Sequence, residues 1–186
     1  MFVIDSSISI ILEDYAVAKN LIYTFTKQLD TSVNNSIGII LIGTEAIIHQ
    51  PLGVILTMEN RHDILRNVNA TPHLGGFTNT ADGLCKLTNQ QWRNDSGVLQ
   101  LAFVLTDGRS NYDTHDCGGG DTEYMADLIH SNYPQVLVFA VGVGEVNTDE
   151  LSLIASRSHL VTKFGEYVEM NSTGDTLRYQ ICSTCV

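Results

Sequence analysis

Basic residues are scarce in this sequence: 10 Lys and Arg stand against 21 Asp and Glu, a formal charge of −11 at neutral pH. A surface of that sign repels nucleic acid and anionic membrane, so neither is an expected partner. No apolar run reaches the length of a membrane-spanning helix. No basic leader with a cleavage site comes before the first strand either, because Met1 enters that strand directly. Several common chemistries lack their parts as well. Gly142-x-Gly144 has no third glycine and follows a late strand, which argues against a dinucleotide fingerprint. Gly118-Gly119-Gly120 runs into Asp121 where a phosphate loop carries Lys-Ser/Thr, so a flexible turn is its plain reading. The six histidines, at positions 49, 62, 73, 115, 130 and 159, show no metal-ligand spacing and no serine or cysteine partner. No repeat, low-complexity tract or interdomain linker interrupts the 186 residues, which suit one domain able to bury a core without disulfide help.

What is present alternates between strand-like and helix-like stretches. Met1 opens an apolar run that stops at Asp5. Over residues 13–30 the apolar Tyr15, Ala18, Ile22, Phe25 and Leu29 recur at steps of three and four, the stripe of a surface helix. Residues 36–43 and 45–50 are β-branched and nearly contiguous, which predicts a hairpin that adds one antiparallel strand and ends at Pro51. Asn60 with Asp63 suits the start of a short helix over 60–67, and Ala81, Leu84, Cys85 and Thr88 share the face of another. Residues 98–106 form the strongest strand, expected to be central. A long polar loop over 108–120 then leads to a helix marked by Met125, Leu128 and Ile129 and a strand at 136–141. Asn147 and Glu150 have capping-box spacing before a helix that turns Leu151, Ile154 and Ala155 inward, and a strand at 160–164 precedes a helix at 173–181. This alternation predicts an α/β fold: a doubly wound, mostly parallel central sheet with one antiparallel edge strand and helices on both faces.

Three stretches carry the chemistry. Asp5-x-Ser7-x-Ser9 follows the first strand, Thr78 lies in Gly75-Gly76-Phe77-Thr78-Asn79-Thr80, and Asp107 follows the strongest strand in Thr106-Asp107-Gly108. Ligands of open α/β sheets collect past the carboxyl ends of strands, so the three tips can converge. Two carboxylates and three hydroxyls are hard oxygen donors, suited to Mg²⁺, Mn²⁺ or Ca²⁺. Each stretch alone is also an ordinary strand-to-helix turn or helix cap.

Taken together and in this order, the three motifs resemble the metal-ion-dependent adhesion site (MIDAS) of von Willebrand factor type A (vWA) domains, the integrin inserted domains among them. The resemblance spans nearly the whole chain. It implies a non-enzymatic module whose metal is held by Asp5, Ser7, Ser9, Thr78 and Asp107, directly or through water. It also implies a partner, a collagen or other matrix protein or a cell-surface receptor, that completes the metal with an acidic side chain. A cation neutralised by only two carboxylates stays electrophilic, and Mg²⁺ prefers six oxygen ligands, which leaves a position for a partner's Asp or Glu. Two alternatives stand beside this one: a glycosylated spacer of a matrix protein with metal optional, and a Mg²⁺-dependent hydrolase. No positioned base or nucleophile supports the hydrolase. A phosphatase of the dehalogenase type would need a second acid where Ser7 stands. One position departs from the family pattern: Ile8 occupies a place usually held by glycine, and a β-branched residue there would strain a turn requiring positive φ. Family members usually carry a few more residues before the first strand, so the chain reads as an excised domain or a fragment.

Four cysteines allow three fully paired connectivities. Cys85 on its inward helical face is either a buried free thiol or, if the loop after Asp107 folds back over that helix, the partner of Cys117. Cys182-x-x-Cys185 has no second such pair, which disfavours zinc, and suits a local bridge or pairing to other sequence. Asn34, Asn69, Asn94 and Asn171 each begin an Asn-x-Ser/Thr sequon. Sequons with a disulfide framework predict a secreted or cell-surface parent protein.

Overall fold

The computed structural model describes residues 1–93, 97–112, 117 and 119–170. Strands β1 (Phe2–Asp5) and β2 (Ile39–Ile42) are buried at every position. Strand β4 (Gln100–Thr106) and strand β5 (Val136–Val143) each have a single half-buried residue. Strands covered on both faces show no polar alternation, which is why they stand out in the sequence as continuous apolar runs. Strand β3 (Ile47–Gln50) and strand β6 (Val161–Phe164) are partly exposed and form the two edges. The sheet order is β3-β2-β1-β4-β5-β6, antiparallel only between β2 and β3. The expected hairpin and central strand are therefore both present, and Pro51 follows the last residue of β3.

Helix α1 (Leu12–Gln28) neighbours α2 (Arg61–Asn69) and α6 (Tyr167–Met170), and α4 (Thr122–Asn132) neighbours α3 (Thr80–Thr88) and α5 (Thr148–Ile154). Adjacent residues of β1 show that these groups lie on opposite faces, since successive strand side chains point to opposite sides. The Phe2 ring meets Phe25 of α1 edge to face at 5.4 Å. Val3 instead lies under Gly83 of α3, where an added Cβ would also come within 2.7 Å of Ile42. A glycine inside α3 thus lets that helix settle close onto the sheet. Across the strands Phe2 is in register with Phe103 and Phe103 with Phe139, and their rings stack at 5.3 and 4.9 Å.

Chain order then fixes where a site can form. From β1 the chain steps outward to β2, and later it crosses to the other side of β1 to lay down β4. The winding reverses between these two strands, and a crevice opens at their carboxyl ends. Asp5 is the last residue of β1, and Asp107 follows the last residue of β4.

In α1 the expected stripe packs inward, with Phe25 and Leu29 half-buried against the core, and buried Thr26 joins it, its hydroxyl donating to the Ile22 carbonyl at 2.7 Å. Other local expectations are corrected. Asn60 makes no side-chain cap on α2; its Oδ1 accepts from the Thr57 N–H at 2.8 Å. Asn147 does cap α5, yet Glu150 does not return the bond as a capping box requires, because its carboxylate is engaged elsewhere. The helix expected at 173–181, together with Asn94, Asn171, Cys182 and Cys185, lies outside the described residues.

Candidate metal centre

Asp5 is fully buried, and both its oxygens are engaged. Oδ1 accepts from the Ser7 N–H and Oδ2 from the Thr106 hydroxyl, each at 2.9 Å. From Ser7 a chain of hydroxyls leads outward. The Thr78 hydroxyl donates to Ser7 Oγ at 3.0 Å, Ser7 Oγ lies 2.9 Å from Ser9 Oγ, and the Ser9 hydroxyl donates to Asp107 Oδ1 at 3.1 Å. All five residues singled out from the sequence are thus brought together, four of them in one continuous hydrogen-bonded row.

The loops that achieve this are tied to one another more than to themselves. The Ser6 hydroxyl donates to the Ile42 carbonyl at 2.9 Å, and its own carbonyl accepts from Gly75 N–H at 2.8 Å. Gly75 and Gly76 take φ of 68° and 76°, and a Cβ on Gly76 would collide with Thr44 Oγ1, which accepts from Phe77 N–H at 2.9 Å. Ile8 N–H donates to the Gly76 carbonyl at 3.0 Å. No described non-glycine residue has positive φ, so the strain expected at Ile8 is absent, and its side chain projects into solvent. The turn at Ile8, expected to favour glycine, is made in ordinary backbone geometry.

Residues that the motifs do not include hold the third loop. Thr78 N–H donates to Asn111 Oδ1 at 2.9 Å, and Asn111 N–H returns a bond to the Thr78 carbonyl at 3.0 Å. Next to it, Ser110 N–H donates to both carboxylate oxygens of buried Glu150 at 3.0 and 3.1 Å, which ties the loop to the first turn of α5. A disulfide joins Cys85 of α3 to Cys117 of the same loop, with Cα atoms 5.8 Å apart. Of the two readings of Cys85, the bridge is therefore correct. Asn79 caps α3 by accepting from Asp82 N–H at 3.0 Å, a role its place between two threonines before an apolar stripe does advertise. Asn111 and Glu150 carry no such signal for these bonds, because their partners lie 33 and 40 residues away in sequence.

Burial pushes the Asp5 carboxyl above the usual carboxylate range, against the opposing hydrogen bonds from Ser7 and Thr106. Asp107 is pushed up to about 6, by burial first and by the charge of Asp5 second. Buried Tyr167, at the start of α6, is shifted upward by burial and then by Asp107, Asp5 and Asp14, and its hydroxyl has no hydrogen-bond partner among the described residues. The centre therefore disfavours negative charge on both carboxyls, with His73 acting in the opposite sense on Asp5. Among the described residues no group of three or more His, Cys, Asp or Glu gathers as a metal site. A cation here would be held by two carboxylates with hydroxyls completing the set. That donor chemistry fits a hard, oxygen-seeking divalent ion and offers nothing to a thiolate-seeking one.

The family model of the von Willebrand factor type A domain matches residues 1–176. The chain belongs to this family. This vWA domain is 24% identical to the human collagen alpha-1(XXI) chain over 191 residues, a match covering all of the domain and 19% of the collagen chain. It is 26% identical to chicken matrilin-1, covering 98% of the domain and 36% of the matrilin. The domain thus spans about a fifth to a third of these relatives. Among solved structures, proximal thread matrix protein 1 from the mussel byssus superposes with a TM-score of 0.79 at 22% identity, over 97% of the domain and 44% of that protein. Another structure of the same mussel protein carries a zinc-occupied MIDAS motif. Among the described residues of this vWA domain, no helix is long and apolar enough to cross a membrane.

Proposed function

We propose that this vWA domain is a non-enzymatic, protein-binding module of the extracellular matrix or cell surface. It would hold a divalent cation at Asp5, Ser7, Ser9, Thr78 and Asp107 and engage an acidic side chain of a matrix protein such as a collagen, or of a receptor. The observation that carries this reading is the row Thr78–Ser7–Ser9–Asp107 with buried Asp5 bonded to the Ser7 N–H, a set of oxygens drawn from three loops with only two carboxylates among them. When bound, Mg²⁺ or Mn²⁺ supplies an electrophilic position that a partner carboxylate can fill. Asp5 and Asp107 contribute the charge, Ser7 and Ser9 contribute neutral oxygens, and Asn111 holds the backbone of Thr78 so that its hydroxyl faces Ser7. Similarity to a collagen chain, a matrilin and a byssal thread matrix protein supports a matrix partner.

The test pairs metal titration with adhesion. Calorimetry with Mg²⁺ and with Mn²⁺ is expected to show one site. Capture of collagens and other matrix proteins is expected to require the cation and to fail in chelator. Thr78→Ala removes one neutral oxygen and keeps both carboxylates, so adhesion should fall at least about tenfold, equivalent to roughly 1.4 kcal/mol, with little change in the melting temperature of the metal-free protein. Adhesion that survives both chelator and Thr78→Ala would show that no metal bridge operates.

A further inference from the structure

We propose that Asn34 carries an N-linked glycan whose first sugar folds back onto the domain and packs against Trp92. The seat is a cavity of about 330 Å³ at the amino ends of the parallel strands, opposite the metal centre. Its walls come from separate stretches: Asn34 and Ser36 before β2, Ile55 after β3, and Trp92 and Leu99 ahead of β4. Asn34 also begins the sequon Asn34-Asn35-Ser36, so the acceptor residue and the cavity share one wall. The backbone around it is well fastened. The Asn35 side-chain amide donates to the Asp30 carbonyl at 2.8 Å, the Asn35 carbonyl accepts from Leu56 N–H at 2.7 Å, and Ser36 bridges to Ile55. Asn34 itself is exposed. The other sequon within the described residues, Asn69-Ala70-Thr71, runs into Pro72, which restricts the backbone of Thr71.

Attachment is a group transfer from a lipid-linked oligosaccharide diphosphate, catalysed by an oligosaccharyl transferase of the secretory pathway. The Asn34 side-chain nitrogen bonds to the anomeric carbon, the bond from that carbon to the diphosphate oxygen breaks, the amide gives up one proton, and the lipid diphosphate leaves. The cavity suits the N-acetylated sugar that results. A pyranose ring presents a C–H face to an aromatic ring and keeps its hydroxyls at the edge. Trp92 is half-buried, and its indole N–H donates to the Leu87 carbonyl at 3.1 Å, which fixes the ring and leaves apolar surface for packing. Gln91, also on the wall, offers an amide to the sugar's hydroxyls and acetamide. Single exposed apolar residues are ordinary, but Ile55 and Leu99 are exposed on the wall of this same cavity, and exposed Val33 adjoins the acceptor. A sugar seated there covers apolar surface that the fold leaves in water. One free sugar on one indole binds weakly; tethered through Asn34 it is held at an effective concentration in the millimolar range, so weak packing suffices.

Trp92 is the only tryptophan of the chain, so its fluorescence reads the seat directly. The full chain is secreted from animal cells, peptide mapping scores each sequon, and an endoglycosidase trims every glycan to its first sugar. Asn34 is expected to be occupied. In the trimmed protein, acrylamide quenching of Trp92 should be at least about twofold weaker than in Asn34→Gln trimmed in the same way, because the sugar covers the open part of the ring. The trimmed protein should also melt at a higher temperature than Asn34→Gln. That difference should vanish in a Trp92→Leu background, which keeps an apolar side chain and loses the ring; because both members of the pair share the substitution, its own cost cancels. Asn34 found unmodified would overturn the proposal and leave the cavity to a partner protein. Equal quenching with and without the Asn34 glycan would show the carbohydrate pointing into solvent and overturn the seat. Protection that needs the untrimmed glycan would put outer sugars on Trp92 and overturn the contact with the first.

Discussion

The two ends of β1 lie three residues apart and do opposite work. At one end Phe2 is an apolar ring buried against Phe25 and Phe103. At the other end Asp5 is buried just as deeply, but as a carboxylate that burial shifts toward its protonated form. Burying apolar area stabilises a fold, whereas burying an ionisable group costs free energy unless a partner charge compensates it. The amino ends of the central strands therefore hold the domain together. At the carboxyl ends of the same strands burial disfavours the charged form of Asp5, and burial with the Asp5 charge does the same to Asp107.

The largest effect expected from this contrast is at Phe103, which is flanked by Phe2, Phe25 and Phe139. Phe103→Ala should lower unfolding stability by about 3–5 kcal/mol in denaturant titrations. The fraction still folded should bind Mg²⁺ with unchanged stoichiometry; loss of metal binding in that fraction would show that the two ends are not separate. Asp5→Asn is the converse experiment. It keeps an acceptor for Ser7 N–H and removes the charge, so calorimetric heat with Mg²⁺ should vanish, while the melting temperature in chelator should hold or rise. A clear fall in chelator would mean that the carboxylate stabilises the fold by itself, and the contrast would break.

How much of this was legible in the sequence follows from how local each cause is. The strands β1, β2, β4 and β5 were readable because burial on both faces leaves continuous apolar runs, and the hairpin was readable because two β-branched runs nearly touch. The convergence of Asp5, Ser7, Ser9, Thr78 and Asp107 was readable because each lies at a strand end or beside a glycine turn, positions that α/β topology gathers at one edge. The clamp was not. Asn111 and Glu150 look like ordinary loop and helix residues until the fold sets them against Thr78 and Ser110. Capping was misread at Asn60 and half-read at Glu150 for one reason: a side chain that can cap its own helix can equally bond a neighbour, and spacing does not say which bond forms.

Acidity sharpens the contrast further. Asp107 sits at about 6 in the folded protein against 3.8 for the ordinary side chain. A raised acid holds its proton more tightly when folded, so its favourable contribution is complete below pH 3.8 and is lost as pH rises through about 6. In chelator, wild type should therefore lose stability relative to Asp107→Asn over that interval. Metal binding runs in the opposite sense, since protons compete for the same carboxylate, and Mg²⁺ affinity should weaken as pH falls below about 6. Melting curves recorded with Mg²⁺ and with chelator should separate above that pH. Parallel curves across the whole range would remove Asp107 from the centre.

The smallest expected effect is at Ile8, and it separates the backbone of the first loop from its side chain. Were the isoleucine straining a turn built for glycine, Ile8→Gly would relax the loop and tighten metal binding. The backbone at Ile8 is not in the positive-φ region, and its N–H already bonds the Gly76 carbonyl at 3.0 Å, so there is no strain for glycine to relieve. Instead, Ile8→Gly should cost about 0.5–1 kcal/mol through the added freedom of the unfolded chain. Mg²⁺ affinity measured by calorimetry should stay within about twofold of wild type, equivalent to roughly 0.4 kcal/mol. A variant that binds Mg²⁺ more than tenfold tighter would show that the loop is held away from its best geometry by this one residue.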